Sequence, residues 1–156
     1  MKWIKTILIG IIATFGMDLA MKLIMITLGS MPTNIHPAAA FLYNLGVEVQ
    51  FLSLLLHYCY GTLWALVFVY AFEEAISIKR AVQLAVVLWI FMMIVYSPII
   101  GWGFFGVGSA QLLHSDHPLY LNSTAGFLFV NLTVHLVYGF LLGFLADKIL
   151  SRKKHL

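Results

Sequence analysis

Four long blocks of apolar residues dominate this sequence and restrict what it can fold into. They cover residues 3–28, 47–72, 81–100 and 123–146, and about 20 such residues are enough to cross the hydrocarbon core of a bilayer. The blocks are continuous rather than alternating, and inside lipid only helices and closed barrels satisfy every backbone hydrogen bond. The sequence therefore predicts an all-α integral membrane protein, a four-helix bundle forming a single domain over residues 1–156, with the lipid bilayer around it.

Composition excludes the ordinary soluble classes. Hydrophobic residues make up 62% of the chain and charged residues 10%, with a mean hydropathy of +0.98, whereas soluble domains are about half apolar and a quarter charged. The net charge of +3 is compatible with nucleic-acid binding. However, the basic residues cluster at the ends of the blocks and form no basic stripe, so we expect no nucleic acid as partner.

The basic residues predict the orientation of the four spans. Lys2 and Lys5 precede the first block, Lys79 and Arg80 lie between the second and third, and residues 148–154 carry four more. If the spans alternate in direction, all of these residues lie on one side, which the positive-inside rule identifies as the cytoplasm. The two outer loops, residues 29–46 and 101–122, contain no Lys or Arg. Both termini are therefore expected to be cytoplasmic.

The second and fourth blocks share a pattern that suggests an internal repeat. Each contains a histidine followed by glycine four residues later, His57 with Gly61 and His135 with Gly139. A His-Pro pair precedes each block, at residues 36–37 and 117–118. Because both blocks run from outside to inside, the chain would consist of two helical hairpins related by a parallel pseudo-twofold axis along the membrane normal.

Small residues place the two histidines on protein-facing surfaces. Gly61 and Ala65 follow His57 at spacings of four and eight, and Gly139 and Gly143 follow His135 in the same way. Small residues at this spacing form a groove that lets another helix approach closely. Such grooves also offer surfaces for a homo-oligomer. We therefore expect the two histidines to face the interior and to approach each other near the axis.

Asp18 completes a polar layer near the centre of the bundle. It lies about 15 Å below the outer boundary at 1.5 Å per residue, close to the expected depths of His57 and His135. Ionisable groups at this depth cost about 2.5–3.5 kcal/mol, so a functional site is the default interpretation. A purely structural alternative pairs Asp18 with Lys22, one helical turn away.

Two imidazoles on facing helices suit a transition metal or a b-type haem. Glycine one turn below His57 and His135 would leave room for a flat macrocycle, while a bare metal would recruit Asp18 as a third ligand. The function expected from these residues is redox chemistry or metal handling. Two alternatives remain open: proton-linked transport of a small solute or ion through the same polar residues, and a structural or assembly subunit whose histidines only bond neighbouring helices.

The outer loops contain a second, weaker group of candidate metal ligands. These are His36, His114, Asp116 and His117. They lie on the side without basic residues, where they would collect cations. The alternative is a solvated loop in which these side chains cap helices.

Several short motifs resemble a family of small bacterial inner-membrane proteins that is catalogued only as a domain of unknown function. They are the segment 13–18 ending in Asp18, the His57-Tyr58-x-x-Gly61 motif, Pro98 beside a glycine-rich turn, and the motif over residues 135–139. The resemblance implies a bacterial source, location in the cell inner membrane, a four-helix fold and interest in Asp18, His57 and His135. It implies no activity.

Overall fold

The structure, a computed structural model, describes residues 2–29 and 31–150. The described residues form a short 3₁₀-helix (Ser109–Leu112) and five longer helices: α1 (Lys2–Leu28), α2 (Pro37–Asn44), α3 (Gln50–Ala71), α4 (Ile78–Ile99) and α5 (Thr124–Leu150). Of these five, all but α2 are long and apolar enough to cross a membrane, which confirms the all-α four-helix bundle. The basic residues 152–154, expected on the cytoplasmic side, lie outside the described residues.

The four long helices pack in the order α3, α1, α5, α4. Helix α1 lies between α3 and α5, and α4 packs on the other side of α5, while α3 and α4 have no substantial interface. We call the end of the bundle that carries the connections over residues 29–49 and 100–123 the loop end. Helix α5 is the most deeply buried of the four, and its Phe127 packs against Trp102 of the second connection at the loop end.

Glycines fix the closest helix contacts. A Cβ atom added at Gly61 of α3 would lie 3.2 Å from the Cβ of Thr14 on α1. One added at Gly139 of α5 would lie 2.6 Å from the Cβ of Ala85 and 2.9 Å from the carbonyl oxygen of Ala81 on α4. Both grooves therefore face protein, as their spacing predicts. Because neighbouring helices of the same chain fill them, they no longer support a homo-oligomer formed through these faces.

The two hairpins are built alike, but no twofold axis of the predicted kind relates one to the other. In each hairpin the glycine groove of the second helix receives the first, α3 on α1 and α5 on α4. A twofold axis would also pair α1 with α5 and α4 with α3 equivalently. The first of these interfaces is extensive and the second is missing. The bundle is therefore open along one side, between α3 and α4.

The first connection folds back into the bundle as a helix that the sequence analysis assigned to a loop. His36 is the N-cap of α2 and Pro37 is its first residue, a position that suits proline because its missing N–H would have no helical partner. A backbone hydrogen bond of 2.8 Å from Asn122 N to Pro32 O ties this connection to the second one. Trp102, in the glycine-rich turn of the second connection, is fully buried beside Phe127.

Helix α4 contains a π-helical turn over Met92–Tyr96, directly before Pro98. Proline has no N–H and its ring clashes with the carbonyl four residues back, so a regular α-helix cannot continue through it. The wider turn accommodates both effects. It also places Met92 and Tyr96 on the wall of an internal cavity.

We predict that Gly139→Ala destabilises the protein by about 1–3 kcal/mol, the usual cost of overpacking. The added methyl group meets the Ala81 carbonyl oxygen on the α4 backbone at 2.9 Å, so the two helices must separate. Thermal unfolding in detergent measures the effect. Phe129→Ala serves as the control in the same helix, because Phe129 is 60% exposed. Equal melting temperatures for Gly139→Ala and wild type would contradict this packing.

Candidate metal centre

Three potential metal ligands from three helices meet near the loop end of the bundle. Asp18 comes from α1, His57 from α3, and His36 from the start of α2. Each offers one ligand atom, and these atoms all lie within 4.8 Å of one another. The Nε2 atom of His57 lies 3.0 Å from Oδ1 of Asp18, and the rings of His36 and His57 meet edge to face with centroids 4.3 Å apart.

The glycine contact between α1 and α3 sets the register of this cluster. Thr14 lies one turn before Asp18, and Gly61 lies one turn after His57. Because the two helices run in opposite directions, the close approach of Gly61 to Thr14 brings Asp18 and His57 to the same level. Residues four apart lie on one face of a helix, so both side chains point into the space between the helices.

The hydrogen bonds indicate how the imidazoles are protonated. A carboxylate oxygen only accepts, so the Nε2–H of His57 donates to Asp18. Nδ1 of His36 accepts a long hydrogen bond of 3.4 Å from the backbone N–H of Ala38. Burial, reinforced by the nearby His57, lowers the pKa of His36 to about 3. His36 is therefore neutral, which is the form that binds metals.

The geometry of the cluster fits a divalent transition-metal ion. Two ligand atoms that each lie about 2.1 Å from one ion are separated by about 3.0–3.4 Å, and the contact between His57 and Asp18 already has this length. The His36 ring has to approach by about 1–2 Å to complete a three-ligand site with such bond lengths. Metal binding would displace the proton now shared between His57 and Asp18. Two imidazoles and one carboxylate suit ions such as Zn²⁺ and Fe²⁺.

His135 lies outside this group. Its Nδ1–H donates to the carbonyl oxygen of Asn131 on the preceding turn of α5, at 2.7 Å. Among the described residues, the ligand group contains Asp18, His36 and His57 but not His135. The expected joint site of His57 and His135 is thus replaced by one in which His36 takes the place of His135. The two predicted histidines do line a common internal cavity.

Two cavities meet at the cluster. An apolar cavity of about 390 Å³, which we call the chamber, lies between α3 and α4 with α1 and α5 behind it. A larger cleft of about 950 Å³ opens toward the loop end, and Asp18 lines it. His36 and His57 line both cavities. The cluster therefore separates a loop-end cleft that contains several polar side chains, such as Lys22 and Gln50, from an interior space that is almost entirely apolar.

Lys22 does not pair with Asp18, contrary to the structural alternative. In the described part of the chain, the carboxylate of Asp18 forms its ion-pair contact with His57. The Lys22 side chain is exposed and lines the loop-end cleft. The reason is geometric. The packing of α3 on α1 brings His57 within reach of Asp18, while Lys22 lies on the exposed surface of α1 at the loop-end cleft.

The candidate ligands of the outer loops do not gather into a second metal site among residues 2–29 and 31–150. His114 pairs with Asp116 through a 3.0 Å contact between two side chains that are about 80% exposed. Nδ1 of His117 accepts a hydrogen bond of 3.1 Å from the backbone of Leu119. Both histidines therefore stabilise the loop, and only His36 of this group reaches the deep cluster. The His36-Pro37 pair was a helix-start signal that could have revealed α2.

The sequence favoured haem because glycine one turn below His57 and His135 would leave room for a macrocycle, and in the structure that room is filled. The spaces beside Gly61 and Gly139, which would have received a macrocycle, are occupied by Thr14 of α1 and by the α4 backbone. The rings of His36 and His57 also lie too close together to admit a macrocycle between them, with centroids 4.3 Å apart. The two glycines therefore leave no space for a haem.

Comparisons of the chain with protein-family models, with curated proteins and with solved structures find no match. The resemblance to a bacterial inner-membrane family is not tested by them and stays a prediction.

We predict that Asp18→Asn and His57→Gln are energetically coupled. Each substitution alone removes the ionic hydrogen bond of 3.0 Å, so the double variant should be less destabilised than the sum of the singles, by about 0.5–3 kcal/mol. Unfolding in detergent with chelator present measures the coupling without metal. Asp18→Asn with His135→Gln is the control pair and should be additive, because His135 bonds Asn131 instead. Additive effects for the first pair would show that the two side chains do not interact.

Proposed function

We propose that this chain is a multi-pass membrane protein that binds one divalent transition-metal ion through Asp18, His36 and His57. The observation that carries the proposal is the convergence of one carboxylate and two imidazoles, from three helices, within 4.8 Å. Ionisable groups inside a membrane are costly and usually mark functional sites, and Asp18 is the one acidic residue of the described helix α1. A metal ion compensates that cost by direct coordination.

Three protein ligands leave coordination positions open. Structural zinc sites are closed by four protein ligands, whereas catalytic sites keep a position for water or substrate. The cluster adjoins both the loop-end cleft and the chamber, so an open position is accessible from either side. This favours metal-dependent handling of a ligand over a purely structural ion.

Transport through the bundle is less well supported. Beyond the cluster, toward the chain termini, the core consists of apolar side chains such as Ile9, Phe68 and Leu142. The Tyr138 hydroxyl there donates to the Gly61 carbonyl oxygen at 2.6 Å. This hydrogen bond joins α5 to α3 at the end of the chamber that lies away from the loop end. A proton or solute pathway needs polar groups or water along its length. In this half the described core offers the hydroxyls of Thr6, Thr14 and Tyr138, and each of them already donates to a backbone carbonyl oxygen.

For the location we propose the bacterial inner membrane, with both termini in the cytoplasm. Lys79 and Arg80 begin α4, and Lys148 is in the last turn of α5. Lys2 forms an ion pair with Glu73 at the same end of the bundle. The concentration of basic residues at this end supports the proposed orientation.

Metal titration of the purified protein tests the function. We expect one equivalent of Zn²⁺ or Co²⁺ per chain by calorimetry, metal-dependent absorption with Co²⁺, and no Soret band after purification. At 100 times the dissociation constant, the bound ion should stabilise the fold by about 2.7 kcal/mol.

Substitutions at the cluster provide the decisive comparison. Asp18→Asn, His36→Gln and His57→Gln should each abolish stoichiometric binding, because each removes one of three ligands. His135→Gln and His114→Gln are the matched controls and should bind metal as the wild type does. Loss of binding in His135→Gln but not in His36→Gln would restore the site expected from sequence and overturn this one.

Single-cysteine labelling tests the orientation. In a Cys59→Ser background, Ser115→Cys in the second loop-end connection should react with a membrane-impermeant maleimide added to intact bacterial spheroplasts. Glu74→Cys, between α3 and α4, should react only after the membrane is permeabilised. Both positions are exposed, so accessibility of the thiol depends on the side of the membrane. The reverse pattern would contradict the proposed topology.

A further inference from the structure

The chamber has the size and lining of a site for a small organic ligand. Its volume of about 390 Å³ falls within the range of about 300–1,000 Å³ typical of ligand pockets, which are mainly apolar with a few placed polar groups. Its walls are largely methionine, leucine and aromatic side chains, including Met17, Leu88 and Phe91. The metal cluster stands at one end of this space.

The chamber opens sideways along the bundle. Leu63 and Tyr60 of α3 line the chamber and are 55% and 44% exposed, and Phe91 of α4 lines it and is 45% exposed. Residues that both line a cavity and remain exposed mark its opening. This opening follows from the missing interface between α3 and α4, and it lies along the apolar middle of both helices, where a bilayer has its hydrocarbon core.

At the loop end, by contrast, helix α2 covers the chamber, and we call this cover, with Tyr96 of α4, the roof. Helix α2 contributes Pro37, Ala38 and Phe41 to the lining. Phe41 stacks on Tyr96 of the π-helical turn with ring centroids 6.1 Å apart, and the Tyr96 hydroxyl donates to the Pro37 carbonyl oxygen at 3.3 Å. A ligand arriving from the water phase would have to pass this roof or the metal cluster.

A few polar groups remain available to a ligand inside the chamber. The indole N–H of Trp64, a lining residue, is buried and lacks a hydrogen-bond acceptor of normal geometry in the described part of the chain. The Tyr60 hydroxyl, one turn back on α3, interacts with this N–H, so a ligand oxygen would compete with it for the indole donor. His36 also lines the chamber, and because its Nδ1 accepts from the Ala38 N–H, its Nε2 carries the proton and can donate.

We propose that the chamber binds a small lipid-soluble molecule with an apolar body and an oxygen acceptor such as a carbonyl, which enters from the bilayer between α3 and α4. The sideways opening supplies the route, the apolar walls hold the body, and the Trp64 N–H or the Nε2–H of His36 binds the oxygen. The proposal names a substrate class for the proposed metal function and rests on that function for any chemistry. Occupancy itself needs only the chamber.

Photo-crosslinking with benzophenone tests the occupant. This molecule is a lipid-soluble aromatic ketone that forms covalent bonds to neighbouring C–H groups when illuminated. The full-length protein, reconstituted in phosphatidylcholine vesicles with chelator, is illuminated over a range of benzophenone contents and analysed by peptide mass spectrometry. We expect saturable adducts on chamber residues such as Met17 and Met92, suppressed by excess undecan-2-one. Adducts that are non-saturable and spread over all exposed helix faces would overturn the proposal.

Two substitutions test the route and the oxygen contact. Cys59→Trp places a bulky ring at the opening, since Cys59 is exposed and lines the chamber, and it should remove the saturable adducts. Leu55→Trp is the matched control on α3, 45% exposed, and should leave them unchanged. Trp64→Phe removes the indole donor and should weaken capture by about 2–10-fold, the equivalent of one hydrogen bond. Melting temperatures of all three variants verify folding.

The metal function and the chamber proposal fail separately. Saturable adducts in chelator-treated protein that binds no metal in titration would support the chamber and refute the metal site. Stoichiometric metal binding without saturable chamber adducts would refute the chamber ligand alone. Saturable adducts that persist in Cys59→Trp, with the variant folded, would overturn entry between α3 and α4.

Discussion

The close approach of α3 to α1 at Gly61 is the contact on which the rest of the site depends. A side chain at Gly61 would collide with Thr14, so only glycine allows the two helices to lie this near. One turn toward the loop end, the same approach brings His57 within 3.0 Å of Asp18. The equivalent contact at Gly139 holds α4 on α5. Two glycine contacts thus fix both hairpins, and the α1–α5 interface joins them with α3 and α4 left apart.

Much of this arrangement follows from local sequence, and the remainder depends on tertiary structure. Helix length, the protein-facing grooves and the interior position of Asp18 and His57 are properties of single helices, which periodicity and hydropathy report directly. The position of His36 is not a property of a single helix. It depends on a connection that folds back between two helices and is held by a backbone hydrogen bond from Asn122. The His36-Pro37 pair predicts where a helix begins, but it does not predict where that helix packs. The expectation that His57 and His135 share one site depended on the repeat in a similar way. It assumed that two similar hairpins associate symmetrically, which they need not do.

The cluster is a boundary between two environments. On one side the loop-end cleft contains Lys22, Gln50 and Asn34, and on the other the chamber is almost entirely apolar. A metal ion bound here, as proposed, would be open to solutes from the cleft on one face and to apolar molecules from the chamber on the other. The low dielectric of the chamber side strengthens electrostatic interactions of a charged centre. The π-helical turn and α2 contribute by closing the chamber above while its side stays open.

The distance along the chain between Asp18 and its partner has a consequence for biogenesis. His57 follows Asp18 by 39 residues, which at about 5–20 residues per second corresponds to roughly 2–8 s of synthesis. During that interval α1 would enter a bilayer with the Asp18 carboxylate lacking its His57 partner, at a depth where an ionisable group costs about 2.5–3.5 kcal/mol. Pairing with His57 becomes available only when α3 has been made, so α1 and α3 are best inserted together as one hairpin. The polar pair that forms the site would then also time the entry of the chain into the membrane.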